Sequence, residues 1–139
     1  MEKNRFLFVY GSLRSGFNSD AYQYISRYFS LVDNAKVKGV LYDLGDYPAA
    51  LPTEKDFFIS GELYYLKNEE EYNWAMEQLD DYEGLHVEAG ERPLYRRDTV
   101  TVFTKDKEII AWVYWYNNAI EGKPRIESGD VLEYLRHKQ

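Results

Sequence analysis

Apolar residues recur along this chain with a period of two in some segments and with the 3.6-residue period of a helix in others, which divides it into elements. Arg5 to Tyr10 reads as a short apolar strand, Lys36 to Tyr42 as a second and Phe57 to Leu66 as a third. Gly45-Asp46-Tyr47-Pro48 ends the second strand, because Gly and Pro punctuate a turn and Pro48 has no N–H to donate to a ladder. Gly61, inside the third, marks a bulge or a point of close approach. From Arg96 to Phe103 the residues Arg97, Thr99, Thr101 and Phe103 alternate with Asp98, Val100 and Val102. A polar link from Thr104 to Glu108 then leads into Ile109 to Tyr116, which makes a hairpin. Trp112, Tyr114 and Tyr116 share one face of that last strand, with Val113 and Trp115 on the other.

The helical rhythm appears three times. Asn18 or Ser19 can cap a helix whose apolar positions are Ala21, Tyr24, Ile25, Tyr28 and Phe29. Asn68 starts another: Glu69, Glu70 and Glu71 compensate the dipole in its first turn, and Tyr72, Ala75, Met76 and Leu79 form its buried stripe, ending near Asp80. Asn117 to Ser128 reads as a loop, after which Asp130 opens a short helix through Val131, Leu132 and Leu135. Strands interleaved with two to three helices, with a hairpin late in the chain, define an α+β fold on a mixed sheet. Periodicity does not say whether that sheet closes.

Composition narrows the function. The 139 residues make one domain, 1–139, long enough to bury roughly two-thirds of the unfolded surface. Fourteen Tyr and three Trp exceed what a dry core needs, so some should line a pocket or interface, although strands favour Tyr in any case. The formal net charge of −7, with dispersed Lys and Arg, speaks against nucleic acid. No apolar run approaches the ~20 residues of a membrane span, and the first residues lead into a strand rather than a signal peptide, so the expectation is a cytoplasmic protein. Without Cys there are no thiolate nucleophiles or Cys-held metals. His86 and His137 have no ligand-like partner at helical spacing, so neither a metal site nor a Ser-His triad is expected.

Two segments carry candidate chemistry. In Phe6-Leu7-Phe8-Val9-Tyr10-Gly11-Ser12-Leu13-Arg14 a buried strand runs straight into a Gly-Ser break. Successive N–H groups there can form a concavity for a carboxylate; the plainer alternative is a tight turn that Ser12 caps. In Asp80-Asp81-Tyr82-Glu83-Gly84 a carboxylate follows a helix end, and Gly84 permits a sharp turn. Asp80 and Asp81, with burial against Tyr82, would raise the Glu83 pKa toward the range of a general base, whereas most helix-terminal acidic clusters are simply solvated. Glu91, in Gly90-Glu91-Arg92-Pro93, competes for that role, or else pairs with Arg92 or Arg96 on the surface.

The order of these motifs resembles the γ-glutamylcyclotransferase-like family from about Phe6 to Asp130. Tyr-Gly-Ser-Leu near the N-terminus is followed by Gly39-Val40-Leu41-Tyr42-Asp43-Leu44-Gly45-Asp46-Tyr47-Pro48-Ala49, Gly61-Glu62-Leu63-Tyr64, Leu79-Asp80-Asp81-Tyr82-Glu83-Gly84 and Tyr95-Arg96-Arg97. The resemblance implies a small mixed barrel flanked by the helices, with a pocket at one end. It also implies a proton-transferring role for Glu83, and a substrate-binding loop at Tyr10, Gly11, Ser12 and Leu13. Two departures stand out: Leu85 to Arg92 is longer than the direct connection of compact members, and Val131 follows Gly-Asp where an aromatic residue is frequent.

The implied chemistry uses no cofactor and takes a small γ-glutamyl substrate. The substrate's α-amine attacks its own γ-carbonyl, closing 5-oxoproline and releasing the amine that had been acylated. A binding module that holds a γ-glutamyl-tagged or other small metabolite without turnover is the alternative from another class, and a partner-binding barrel is a more distant one. The leaving amine and the oligomeric state are both left open by the sequence.

Overall fold

Residues 4–11, 20–44, 48–82, 95–118 and 120–138 are described in the structure, a computed structural model. The strands are β1 (Phe6–Val9), β2 (Phe29–Asp43), β3 (Pro48–Pro52), β4 (Phe58–Leu66), β5 (Tyr95–Phe103), β6 (Glu108–Tyr116) and β7 (Arg125–Ile126). The helices are α1 (Asp20–Tyr28), α2 (Tyr72–Tyr82) and α3 (Val131–Lys138).

Five strands close on themselves in the order β2-β4-β1-β6-β5, and the ring is completed where β5 returns to β2 at Lys36↔Phe103 and Val37↔Val102. Closure leaves those strands without the open edges that invite aggregation. β1 and β6 run parallel, at Leu7↔Trp112, and the other pairings are antiparallel. The result is a mixed barrel, with β3 and β7 extending the sheet along the far half of β2.

Alternation along the barrel strands sorts their apolar side chains into two cores. Phe8, Val37, Ile59, Leu63, Val102, Val113 and Trp115 pack together inside, joined by Val131 of α3. Leu7, Val9, Tyr64, Leu66, Tyr114 and Tyr116 face outward, where Ile25 of α1 and Ala75, Met76 and Leu79 of α2 cover them. Both faces of β6 are therefore buried, and the split of Trp112, Tyr114 and Tyr116 from Val113 and Trp115 holds.

Gly61 is a point of close approach. A Cβ there would lie 2.2 Å from the Val9 carbonyl oxygen and 2.6 Å from the Phe8 ring, so only glycine lets β1 sit against β4 at this height. Gly129 is required twice over, by a φ of +70° and by the Phe58 carbonyl oxygen 2.0 Å from where its Cβ would be.

Four elements differ from expectation. β3 forms at Pro48–Pro52, where the sequence reading places only a turn. β2 begins at Phe29, directly after α1, rather than at Lys36; a register shift between Leu31 and Asp33 breaks the period-two pattern, and residues 30–34 are exposed, so no apolar alternation marks this half. The segment after Asn68 opens as a 3₁₀ turn, Glu69–Glu71, capped by Asn68 Oδ1 accepting from the Glu70 N–H at 3.0 Å. The loop after Asn117 contains β7, whose two residues carry no periodic signal of their own. The third helix matches its reading: the Asp130 carboxylate accepts from the Glu133 N–H at 3.3 Å.

Candidate active site

Just past the end of β1, Tyr10 and Gly11 meet different surroundings. Tyr10 is buried beside Phe8, and its hydroxyl donates to the Tyr114 carbonyl oxygen on neighbouring β6 at 2.5 Å. Among the described residues, a Cβ at Gly11 would meet only the Pro48 ring, at an ordinary 3.6 Å. Among the described glycines only Gly122 and Gly129 have positive φ, so the Gly11 backbone does not itself require glycine. Among the described residues, what glycine supplies at this position is room.

Pro48, at the start of β3, is tied to the same end of the barrel. Its carbonyl oxygen accepts from the Tyr95 hydroxyl at 2.8 Å, and the Tyr95 ring meets the Tyr116 ring edge-on, with centroids 5.5 Å apart. Gly11, Pro48, Tyr95 and Tyr116 thus share one rim. Glu62, opposite Val9 on β4, is 6% exposed and accepts from the Tyr64 hydroxyl at 3.0 Å.

On the other flank of Val9 a polar cluster joins α2 to the hairpin. Arg97 and Tyr114 face each other across β5 and β6. Asp80, in the last turn of α2 and 8% exposed, accepts from Arg97 Nε at 2.8 Å and Nη2 at 3.1 Å, and from the Tyr114 hydroxyl at 2.8 Å. The guanidinium also stacks over Trp112, 4.5 Å from the ring centroid, and the Trp112 indole N–H donates to the Tyr72 hydroxyl at 3.0 Å. Burial disfavours the Arg97 charge, but the hydrogen bonds and charge of Asp80 outweigh it and hold the guanidinium above its ordinary value.

Tyr114 therefore links the two candidate segments: its carbonyl binds the residue before Gly11, and its hydroxyl binds the helix turn that leads to Glu83. Glu83 itself, the next residue after α2, lies outside the described residues, as do Ser12, Leu13 and Glu91. Asp80 is not a lone acidic group, since Arg97 pairs with it; Asp81 is exposed.

The sequence reading missed Arg97, Tyr114 and the second role of Asp80. Two signals pointed there: Asp80 falls on the stripe of Met76 at i+4, and the hairpin alternation puts Arg97 on the face of the strand partner that carries Tyr114. Among the described residues no group of three or more His, Asp or Glu could hold a metal ion, and no helix is long and apolar enough to cross a membrane.

The chain belongs to the family described as gamma-glutamyl cyclotransferase, AIG2-like, whose model matches residues 7–133. A Methanocaldococcus jannaschii protein provisionally named a gamma-glutamylcyclotransferase is 32% identical over 131 residues, 93% of this chain and 97% of that one. The gamma-glutamylcyclotransferase family protein YtfP of Escherichia coli is 30% identical over 129 residues, 91% of this chain and 96% of its own. Its solution structure superposes with a TM-score of 0.63, covering 92% of this chain and 96% of that one. The gamma-L-glutamyl-butirosin B gamma-glutamyl cyclotransferase of Niallia circulans is 30% identical over 112 residues, 80% of this chain and 66% of its own. Family and relatives together support gamma-glutamylcyclotransferase-type activity.

Proposed function

We propose that this protein is a single-domain cytoplasmic enzyme that releases 5-oxoproline and a free amine from a γ-glutamyl amine or peptide, with Glu83 as the acid and base. The observation that carries the reading is the Tyr114 linkage, which couples the strand end at Tyr10-Gly11 to the helix turn at Asp80, three residues before Glu83.

The reaction needs little beyond geometry and one proton carrier. With the substrate curled, its α-nitrogen forms a bond to the γ-carbonyl carbon, and the carbonyl π electrons move to oxygen. Glu83 takes the proton from that nitrogen and passes it to the departing amine as the old C–N bond breaks, so no proton is gained or lost overall. Confinement of the two reacting groups supplies much of the rate. Backbone N–H groups of Gly11, Ser12 and Leu13 hold the α-carboxylate or the developing oxyanion. Among the described residues only Pro48 comes near the Gly11 Cβ position, which suits a ligand that approaches the backbone closely.

The leaving group is an amine. The Niallia circulans relative, whose substrate is γ-L-glutamyl-butirosin B by name, supports a sizeable amine over a fixed amino acid. A mass-spectrometric screen of γ-glutamyl amines and dipeptides for 5-oxoproline tests the proposal: release from at least one of them is expected. Ligand-induced stabilisation by the same compounds without release would make the protein a binding module instead.

A further inference from the structure

We propose that Asp80 and Arg97 are positioning residues for this reaction, fixing the direction in which the chain leaves α2 toward Glu83; the inference rests on the proposed role of Glu83. A buried or half-buried ion pair is a poor device for stability alone, because taking both charges from water offsets much of their attraction. What such a pair does well is fix geometry, and every polar contact here restricts an angle. The two parallel hydrogen bonds from Nε and Nη2 orient the Asp80 carboxylate, Trp112 holds the plane of the guanidinium, and the Tyr114 hydroxyl adds a third donor to the same Asp80 oxygen that Nε contacts.

The placement of the cluster favours this role. Asp80 lies in the final turn of an eleven-residue helix, where backbone hydrogen bonds give out and ends fray. Among the described side chains, the apolar anchoring of α2 comes from Tyr72, Ala75, Met76 and Leu79, all before this point. Downstream, the chain has only two residues before Glu83. A helix end left to fray would move a carboxylate there by an ångström or more, and misplacement on that scale lowers a rate by ~100-fold.

The test is kinetic. Asp80→Asn and Arg97→Gln are compared with Asp98→Asn, which breaks the exposed Arg96–Asp98 pair on the same strand. Each is assayed for kcat and KM per folded molecule with a γ-glutamyl amine, beside Glu83→Gln. We expect kcat to fall ~10- to 100-fold in the first two with KM within about twofold, no change in Asp98→Asn, and little recovery in Arg97→Lys, which lacks the bidentate fork. If either variant fails to fold, Tyr114→Phe replaces it, with a severalfold fall in kcat expected. Folded Asp80 and Arg97 variants with unchanged kcat beside an inactive Glu83→Gln overturn the positioning role alone. An active Glu83→Gln overturns the base assignment, whatever the other variants do.

Discussion

Asp80 and Arg97 form a two-point ion pair, at 2.8 and 3.1 Å, that joins the last turn of a helix to the middle of a barrel strand. Its side chains are 11% and 23% exposed, so solvent and salt screen it weakly. Asp80→Ala should cost about 2 kcal/mol, the loss of charge-assisted hydrogen bonds that leaves Arg97 uncompensated. The exposed pair Lys38–Asp56 provides the contrast, at 3.6 Å with Asp56 92% exposed. Asp56→Ala should change stability by less than about 0.5 kcal/mol. Urea midpoints at low and high salt check both: the Asp80 loss should persist in salt, and equal small shifts in the two variants would contradict the account.

Two glycines, one just past the end of β1 and one within β4, should respond in opposite ways to one added methyl. Gly61→Ala drives a Cβ into the Val9 carbonyl and the Phe8 ring and should cost about 1–3 kcal/mol or more. Among the described residues, Gly11→Ala meets only the Pro48 ring at 3.6 Å; it should leave the melting temperature nearly unchanged while raising KM, since a ligand loses its room at the backbone. Thermal melts and KM values for the pair test this. A Gly11→Ala enzyme with unaltered KM would mean that the segment is an ordinary turn.

How much was legible in the sequence follows from which signals are local. β4, α2 and the β5–β6 hairpin announce themselves through periodicity and turn residues, and Gly61 through its isolation within a strand. The exposed half of β2 does not, because a bulge erases its alternation. Barrel closure rests on the β2–β5 pairing at Lys36 and Val37, a contact between residues more than sixty apart that no local pattern encodes; the family resemblance supplied it. At the site, Asp80 was read as part of an acidic run because its partner Arg97 is distant in sequence, and a charge's meaning depends on what faces it.

Tyr24 offers a stability prediction with a defined sign. Its hydroxyl is buried without a hydrogen-bond partner among the described residues, and burial, aided by Tyr28 and Glu71, pushes its pKa from 10.0 to about 12. Because the folded state holds the proton more tightly, the contribution is complete below pH 10 and is lost as pH rises toward 12. Tyr24→Phe should be neutral or slightly stabilising at pH 7, and should decline less than the parent between pH 10 and 12. Chemical denaturation across that range checks it, and a marked loss for Tyr24→Phe at pH 7 would show that the hydroxyl has a partner.

Charge should bias the leaving group. With a net charge of −7, the protein should favour a cationic or amine-bearing leaving group over an acidic one. Values of kcat/KM for a γ-glutamyl polyamine and for γ-glutamyl-glutamate decide this, and a preference for the acidic substrate would refute the charge argument while leaving cyclisation untouched.

The central claim is that Glu83 moves the proton in an intramolecular cyclisation. It is tested most directly by 5-oxoproline release from one γ-glutamyl amine, its N-acetylated form and its α-linked isomer, with the parent, Glu83→Gln and Glu91→Gln. The account predicts release from the free-amine γ-linked compound alone, a loss of at least ~100-fold in Glu83→Gln with binding retained, and near-parent rates in Glu91→Gln. Turnover of the N-acetylated compound, or a dead Glu91→Gln beside an active Glu83→Gln, would contradict it.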